Sequence, residues 1–290
     1  MKPSALIFFL ILSFFLILSA GLASSVLFPR AMAVQPNVPT FWSPHERIAK
    51  PDISKLQRLR FLTSVDFPPF NFIDSSGRLA GYNIDLARAI CDELAIGDIC
   101  QIEAMPWNEL RDKLKTGEGE AIIAGLEPTA ENRAEFAFSR PYLGLPARFV
   151  TQRTAVLSEP LNRNLKGKRT GVITGTAHEA MLRSYFPDAG IIGYAQKDQL
   201  LNDLKAGKLD AAFGDGMTLS FWLDGKASEG CCTFSGGPYL GPQFLGEGMT
   251  IAVAGNNPQL AKAFDYALKS LEEKGVMAEL YLRYFPVSFY

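Results

Sequence analysis

Two stretches of the chain, residues 114–126 and 204–216, repeat one pattern of residue types, and this repeat constrains the fold more than any other feature. They read LKTGEGEAIIAGL and LKAGKLDAAFGDG: a helix end, a glycine, an acidic residue and an apolar strand that begins with alanine. Two copies of one helix-to-strand transition predict two similar α/β lobes. Ligands in such sheets bind beyond the carboxyl ends of the strands, so we expect a site where the two repeats end.

The alternation of strand and helix patterns supports this division into two lobes. One alternating run begins at Leu59 and a second begins near Arg148, which implies mostly parallel sheets. The glycine- and proline-rich stretch 232–242 separates the second run from a last strand and two helices. That last segment is too short for a third domain, so we predict one lobe from residues 57–145 and 243–290, and a second lobe from residues 146–242.

Composition excludes several function classes. The 290 residues are 48% hydrophobic and 20% charged, which is enough for two modest cores. The formal net charge of −1 argues against nucleic-acid binding, which usually needs a basic stripe. Two histidines and no clustered Cys/His pattern leave little for a transition-metal site. We therefore expect no metal and no cofactor.

The N-terminus is predicted to be a targeting segment. An apolar run from Ala5 to Phe28 precedes Ala31-Met32-Ala33, which fits a signal peptide over residues 1–33 that is cleaved after Ala33. The run is also long enough to span a bilayer, so an uncleaved anchor is the alternative. We favour cleavage because Pro29 breaks the helix just before the cleavage site. Residues 34–56 are proline-rich and predict a linker or a strap, and the remaining chain is expected in the periplasm.

Export permits disulfides at the four cysteines. Cys91 and Cys100 flank a short helix-to-strand turn, where a bridge closes a small loop. Cys231 and Cys232 are adjacent, so they form either a strained vicinal bridge or two buried thiols. Free, buried cysteines are the alternative for both pairs, and in an oxidising compartment we favour the bridges.

Five side chains follow the predicted strands and together complement an α-amino acid. The guanidinium of Arg133 suits a carboxylate through two parallel hydrogen bonds, and the helix start at Thr176 supplies further donors for the same anion. Asp215 suits an ammonium group. Phe67 and Trp107 are placed to enclose a side chain between aromatic faces.

Each of these residues also has an ordinary structural explanation. Arg133 is explained by a solvated surface position, Thr176 by a helix N-cap and Asp215 by a turn. Phe67 and Trp107 are equally compatible with a hydrophobic core. Their joint placement at strand ends favours a binding site.

Residues 57–286 resemble the periplasmic polar amino-acid-binding proteins of ABC importers, those similar to the lysine/arginine/ornithine- and histidine-binding proteins. The resemblance rests on LRFLTSVDFPPFNF, GRLAGYNIDLARAICDEL, GEAIIAGLEPTAENRAEFAFSRPY, LKGKRTGVITGTAHE, LKAGKLDAAFGD and ELYLRYF. It implies an α/β fold of the two-lobed type II periplasmic-binding kind, with crossing strands near 144–148 and 238–244. It also implies a monomer that closes on its ligand and delivers it to importer membrane subunits.

Carried over residue by residue, the resemblance implies a ligand set. Arg133 and Thr176 would hold the carboxylate of an amino-acid-like ligand, Asp215 the ammonium group, and Phe67 and Trp107 the side chain. The spacing of the cysteines at 91 and 100 matches a disulfide found in some family members.

Four further positions in this ligand set depart from the family pattern. Ser64 stands where binders of basic amino acids place an acid, which weakens the case for lysine or arginine. Ala124 and Gly125 stand where the family often has serine, so they offer backbone groups alone. Glu127 replaces a small hydroxyl residue, and its carboxylate either neutralises Arg133 or binds an additional ligand cation.

Two other functions use the same fold. Some relatives are dehydratases of cyclohexadienyl acids, and Glu127 or His178 is a candidate proton carrier for such an enzyme. A membrane-anchored sensor is the other alternative, and it requires an uncleaved N-terminus. We expect a non-catalytic binding protein.

Overall fold

The computed structural model describes residues 39–43 and 45–290. The predicted signal peptide and the beginning of the predicted strap lie outside these residues. Within the described part of the chain, no helix is both long and apolar enough to cross a membrane.

The first of two large sheets has the strand order β5-β1-β6-β13-β7. Its strands are β1 (Leu59–Thr63), β5 (Cys100–Ala104), β6 (Ala121–Ile122), β7 (Phe136–Phe138) and β13 (Ala252–Ala254). A small sheet of β2 (Asp66–Phe67), β3 (Asn71–Ile73) and β4 (Leu79–Ala80) follows β1. The helices are α1 (Tyr82–Glu93), α2 (Leu110–Lys115), α3 (Ala130–Glu135), α9 (Pro258–Glu273) and α10 (Val276–Tyr284). These elements form the first lobe.

The second large sheet has the order β10-β9-β11-β8-β12. Its strands are β8 (Ala147–Gln152), β9 (Arg169–Ile173), β10 (Gly190–Tyr194), β11 (Ala211–Asp215) and β12 (Cys232–Tyr239). The helices are α4 (Leu161–Asn164), α5 (Ala177–Tyr185), α6 (Lys197–Lys205), α7 (Gly216–Asp224) and α8 (Pro242–Leu245). These elements form the second lobe, and the α/β class with two lobes agrees with the sequence prediction.

The sheets are less parallel than the sequence pattern predicts. β1 pairs in parallel with β5 and β6, and β9 pairs in parallel with β10 and β11. The remaining pairings of the two large sheets, which involve β8 and β13, are antiparallel. β8 and β13 are the strands that enter each sheet from the other lobe, so no helical crossover of their own sheet sets their direction.

The glycine- and proline-rich stretch 232–242 contains a strand that its composition does not predict. β12 pairs with β8 from Cys232 to Ser235 and again at Tyr239, and the register shifts between these two regions. Gly236 and Gly237 take φ values of 64° and 82° in this irregular part. Residues that favour a turn are therefore accommodated in a β-bulge within the strand.

The main core lies between the first sheet and α9. The helix buries the apolar face that its spacing predicts: Leu260, Phe264, Ala267, Leu268 and Leu271. Phe61 of β1 meets Phe264 with ring centroids 5.3 Å apart. The late helix α9 is thus packed on the first sheet, which contains β1.

Residues 39–43 and 45–56 pack on the first lobe through Trp42. The indole is 7% exposed, and the guanidinium of Arg140 lies 4.0 Å from its ring centroid. Arg140 also pairs with Glu46 at 2.6 Å, and the Phe41 N–H donates to Glu272 Oε2 at 3.1 Å. An aromatic anchor and a cation–π contact hold this segment against the lobe.

We expect Trp42→Ala to lower the free energy of unfolding by about 3 kcal/mol, because it removes a buried aromatic side chain and leaves Arg140 without its stacking partner. Chemical denaturation measures the change. Val156→Ala, at a site that is 52% exposed, is the control and should stay within about 0.5 kcal/mol of the wild type. A loss at Trp42 no larger than that of the control would contradict the packing role.

Arg148 is a buried charge beside the connection between the lobes. It is 7% exposed, its guanidinium lies 4.4 Å from the Phe234 ring centroid, and its Nε and Nη1 have no hydrogen-bond partner among the described residues. Burial lowers the pKa of Arg148 below its ordinary value. An unpaired buried cation is costly.

Arg148→Met is expected to raise the free energy of unfolding by about 1 kcal/mol or more, because a flexible apolar side chain replaces a desolvated charge at similar volume. Arg163→Met, on the exposed face of α4, is the matched control and should change little. Thermal and urea unfolding test the pair. A loss of stability in the Arg148→Met variant would show that the guanidinium has a stabilising partner.

Candidate functional site

The first lobe carries a cavity of about 290 Å³ where β1 and β6 end. Its lining comprises Ser64, Asp66, Phe67, Trp107, Ala124 and Gly125. Five of these six are residues that the sequence proposes as ligand contacts. The small sheet β2-β3-β4 positions Phe67, and the short helical turn before α2 positions Trp107.

Both aromatic residues of this cavity present accessible surface. Trp107 is 45% exposed, so it is not part of the hydrophobic core. Phe67 is half-buried and packs on Phe70 with ring centroids 4.8 Å apart. Gly125 has φ 86°, and a Cβ at this position would lie 3.1 Å from the Phe67 ring. The glycine therefore allows the ring to lie close to the strand end.

Ser64 lies beneath the aromatic residues in a network of amides. It is 2% exposed, and its hydroxyl oxygen accepts from Asn71 Nδ2 at 2.9 Å. Asn83 Nδ2 donates to Asn71 Oδ1, and the Tyr142 hydroxyl donates to Asn83 Oδ1 at 2.8 Å. The network fixes the floor of the cavity.

The second lobe carries a cavity of about 280 Å³ where β9 and β11 end. Its polar lining is Thr176, His178, Lys197, Asp215 and Thr218, and its apolar lining is Ile173, Leu200, Leu201, Phe213 and Leu219, with Gly214 between them. A polar rim over an apolar floor is the usual composition of a small-molecule site.

Thr176 and Asp215 both cap helices while they line this cavity. The Thr176 hydroxyl accepts from the Glu179 N–H at 3.2 Å and donates to the Ile173 carbonyl at 2.7 Å. Asp215 Oδ1 accepts from the Thr218 N–H at 2.7 Å. Asp215 Oδ2 makes no hydrogen bond within residues 39–43 and 45–290. Asp215 can therefore cap a helix with Oδ1 and still bind a ligand with Oδ2.

His178 is half-buried in the second cavity. Burial lowers the pKa of its imidazole below the ordinary 6.5, and the nearby carboxylate of Asp215 opposes part of this shift. The neutral ring is thus favoured at neutral pH.

Arg133 does not line either cavity. Its Nη2 donates to Glu247 Oε2 at 2.6 Å, and its Nε donates to the Pro128 carbonyl at 3.0 Å. Its guanidinium lies 5.6 Å from the Phe138 ring centroid. The structure therefore does not bring Arg133 together with Phe67, Trp107 or Asp215, and the carboxylate that pairs with it belongs to Glu247.

Glu127 also lies outside both linings. Its carboxylate packs against Gly246, where Oε1 is 2.5 Å from the position that a Cβ would occupy. The carboxylate forms no ion pair within the described residues. Neither of the two roles that the sequence suggests for Glu127, neutralising Arg133 or holding a ligand cation, is visible as a contact.

The sequence analysis proposes no role for three polar lining residues: Asp66, Lys197 and Thr218. The sequence could have indicated Asp66 as a lining residue, because it lies between Ser64 and Phe67 just after β1. Lys197 begins α6, and no residue pattern separates it from a solvated helix-start lysine.

Backbone pairing places both cavities beside the connection between the lobes. Gly125 lies next to Met249, which forms a β-bridge with Leu143. Four residues further along the chain, Ala147 pairs with Asp215 at the end of β11. Four extended residues span at most about 14 Å, so the two strand ends lie on either side of one short crossing.

The structure joins Cys91 to Cys100, with Cα atoms 6.2 Å apart, and Cys231 to Cys232. The first bridge ties α1 to β5, and the second lies at the start of β12. Neither pair lines a cavity described above.

Two lobes that are joined by crossing strands, each with a cavity at its strand ends, define a binding protein of the type II periplasmic-binding fold. Residues 59–287 match the model of the bacterial extracellular solute-binding proteins, family 3. The chain belongs to this family, and it is a solute-binding protein.

Named relatives and solved structures agree with this assignment. The L-arginine-binding protein of Pseudomonas aeruginosa is 30% identical over 233 residues, which cover 77% of this chain and 86% of the relative. The lysine/arginine/ornithine-binding periplasmic protein of Escherichia coli (strain K12) is 27% identical over 236 residues, which cover 81% and 90%. The L-cystine solute receptor of Neisseria gonorrhoeae shares the fold, with a TM-score of 0.66 at 20% identity over 80% of this chain and 94% of that one.

Acidification should destabilise the protein in part through His178. Because the folded state lowers the pKa of this imidazole, the unfolded chain binds the proton more readily, and stability is lost as the pH falls through about 6.5. We expect His178→Gln to show a smaller drop in unfolding temperature between about pH 7.5 and about pH 5.5 than the wild type does. An equal or larger drop in the variant would contradict the effect of burial.

Proposed function

We propose that the chain captures a small solute that carries an ammonium group, an amino acid or a close relative of one, in the periplasm. It acts as a monomer without catalysis and delivers the solute to the membrane subunits of an ABC importer. The observation that carries the proposal is the carboxylate of Asp215, which lines the second cavity with one oxygen unused by the described residues. It lies across a short connection from the first cavity, which Phe67 and Trp107 line.

The relatives support the class of solute. Those described above are named for binding arginine, or lysine, arginine and ornithine, and all of these compounds carry ammonium or guanidinium groups. The aromatic residues of the first cavity suit such cations through cation–π attraction. The carboxylate and the aromatic faces lie on opposite sides of a hinge. A ligand that contacts both would therefore bring the two lobes together.

No observation favours the dehydratase alternative. Of its two candidate proton carriers, Glu127 lines neither cavity, and His178 lines the second cavity but makes no hydrogen bond through its ring among the described residues. A proton carrier has to reach the substrate within hydrogen-bond distance.

Native mass spectrometry of protein purified without denaturation should reveal a co-purified small molecule, and isothermal titration should then measure its affinity. We expect Asp215→Asn and Trp107→Ala each to weaken binding by about tenfold or more, because each removes a proposed contact of the ligand. Asp188→Asn, an exposed acid outside both cavities, is the control and should bind like the wild type. Unchanged affinity in both site variants would refute the proposed site.

A further inference from the structure

Building on the proposed function, we propose that the ligand is an organic cation without a carboxylate, such as an α,ω-diamine, rather than an α-amino acid. At both places that the sequence assigns to a ligand carboxylate, a donor is already bound to a carboxylate of the protein: Arg133 to Glu247, and the Gly175 N–H, next to Thr176, to Glu179. The acids that line the cavities have no such partners among the described residues.

The first occupied anion anchor is Arg133. Glu247 Oε2 accepts from its Nη2 at 2.6 Å, and the Pro128 carbonyl accepts from its Nε at 3.0 Å. The hydrogen bond is charge-assisted, and the two side chains are 46% and 49% exposed, so solvent screens the pair. A ligand carboxylate would have to displace Glu247 and leave that acid without its cation.

The second occupied anion anchor is the start of α5. Glu179 Oε2 accepts from the Gly175 N–H at 2.7 Å, and the Thr176 hydroxyl caps the Glu179 N–H. This arrangement resembles a capping box, except that Glu179 accepts from the N–H of Gly175 and not from that of the N-cap residue Thr176. The Gly175 N–H and Arg183 hold the pKa of Glu179 below its ordinary value, so a negative charge already lies at this helix N-terminus.

The acids near the strand ends are in the opposite situation. Asp66 lines the first cavity and Asp215 lines the second, and Glu127 follows the end of β6. None of the three forms an ion pair within residues 39–43 and 45–290. Lys197 is the one lysine or arginine among the described lining residues of the two cavities, so their charge balance is negative.

The aromatic faces complete the argument. Phe67 and Trp107 line the first cavity together with Asp66, so a cation there meets two ring faces and one carboxylate. A carboxylate in the same space would face Asp66 and find no cationic partner in that lining. The geometry thus favours positive charge at both ends of the ligand.

Matched pairs of compounds that differ only in the carboxylate test this inference. Isothermal titration of the mature protein should compare agmatine with arginine, cadaverine with lysine, and putrescine with ornithine. In at least one pair we expect the amine to bind about tenfold or more tightly than its parent amino acid, because the added carboxylate meets the acids Asp66 and Asp215 in linings where Lys197 is the one lysine or arginine.

Variants connect that preference to the acids. Asp66→Asn and Asp215→Asn are each expected to weaken the preferred amine by about fivefold or more, whereas Asp188→Asn leaves its affinity unchanged. Amine binding should also weaken as salt is raised, since part of the attraction is screened. Thermal shift in the same buffers confirms that the variants are folded.

The outcomes separate the two proposals. Tighter binding of the amino acid in every pair overturns the inference but leaves the proposed function standing. Arginine binding that Arg133→Ala weakens about tenfold would show that Arg133 leaves Glu247 for a ligand carboxylate, and it would likewise overturn the inference. If no compound of either series binds and no small molecule co-purifies, the proposed function itself fails.

Discussion

The rest of the structure depends on the short double connection between the two sheets. Leu143 and Met249 form a β-bridge on the side of the first lobe, and Ala147 pairs with both Asp215 and Tyr239 as the chain enters the second sheet. Because the crossing segments are hydrogen-bonded into both sheets, the ends of β6 and β11 are held beside the same connection. A crevice between strand ends follows from this topology before any side chain is considered.

A buried arginine lies beside the same connection. Arg148 follows the crossing by one residue, packs on Phe234 and leaves two nitrogen atoms without acceptors among the described residues. Glu247 and Gly246 lie on the return crossing, where they meet Arg133 and Glu127 of the first lobe. The return crossing therefore pairs Arg133 of the first lobe with Glu247, so that this cation is not available to a solute.

Much of the architecture was predictable from residue patterns. The repeat at 114–126 and 204–216 places one helix and one strand correctly in each lobe, because glycine stops and apolar spacing are local properties. β12 was missed, since its glycines and its proline indicate a turn and only pairing with β8 makes them a strand. The antiparallel direction of β8 and β13 was missed for the same reason, as no local signal reports which lobe a strand comes from.

The sequence alone determined the α/β class, the two lobes and most of the residues at the strand ends, because these depend on periodicity and on turn chemistry along a few neighbouring residues. Tertiary structure alone decided the charge of the site. The sequence assigns Arg133 to a ligand carboxylate, but the fold brings Glu247, 114 positions later, within hydrogen-bond distance of it. Similarly, the Glu179 carboxylate accepts from the Gly175 N–H at the start of the helix that Thr176 caps. A charged group is available to a ligand only if the fold does not bring another partner within a few ångströms of it. That partner is either distant in the sequence, as Glu247 is from Arg133, or set by the local geometry of a helix N-terminus, as Glu179 is.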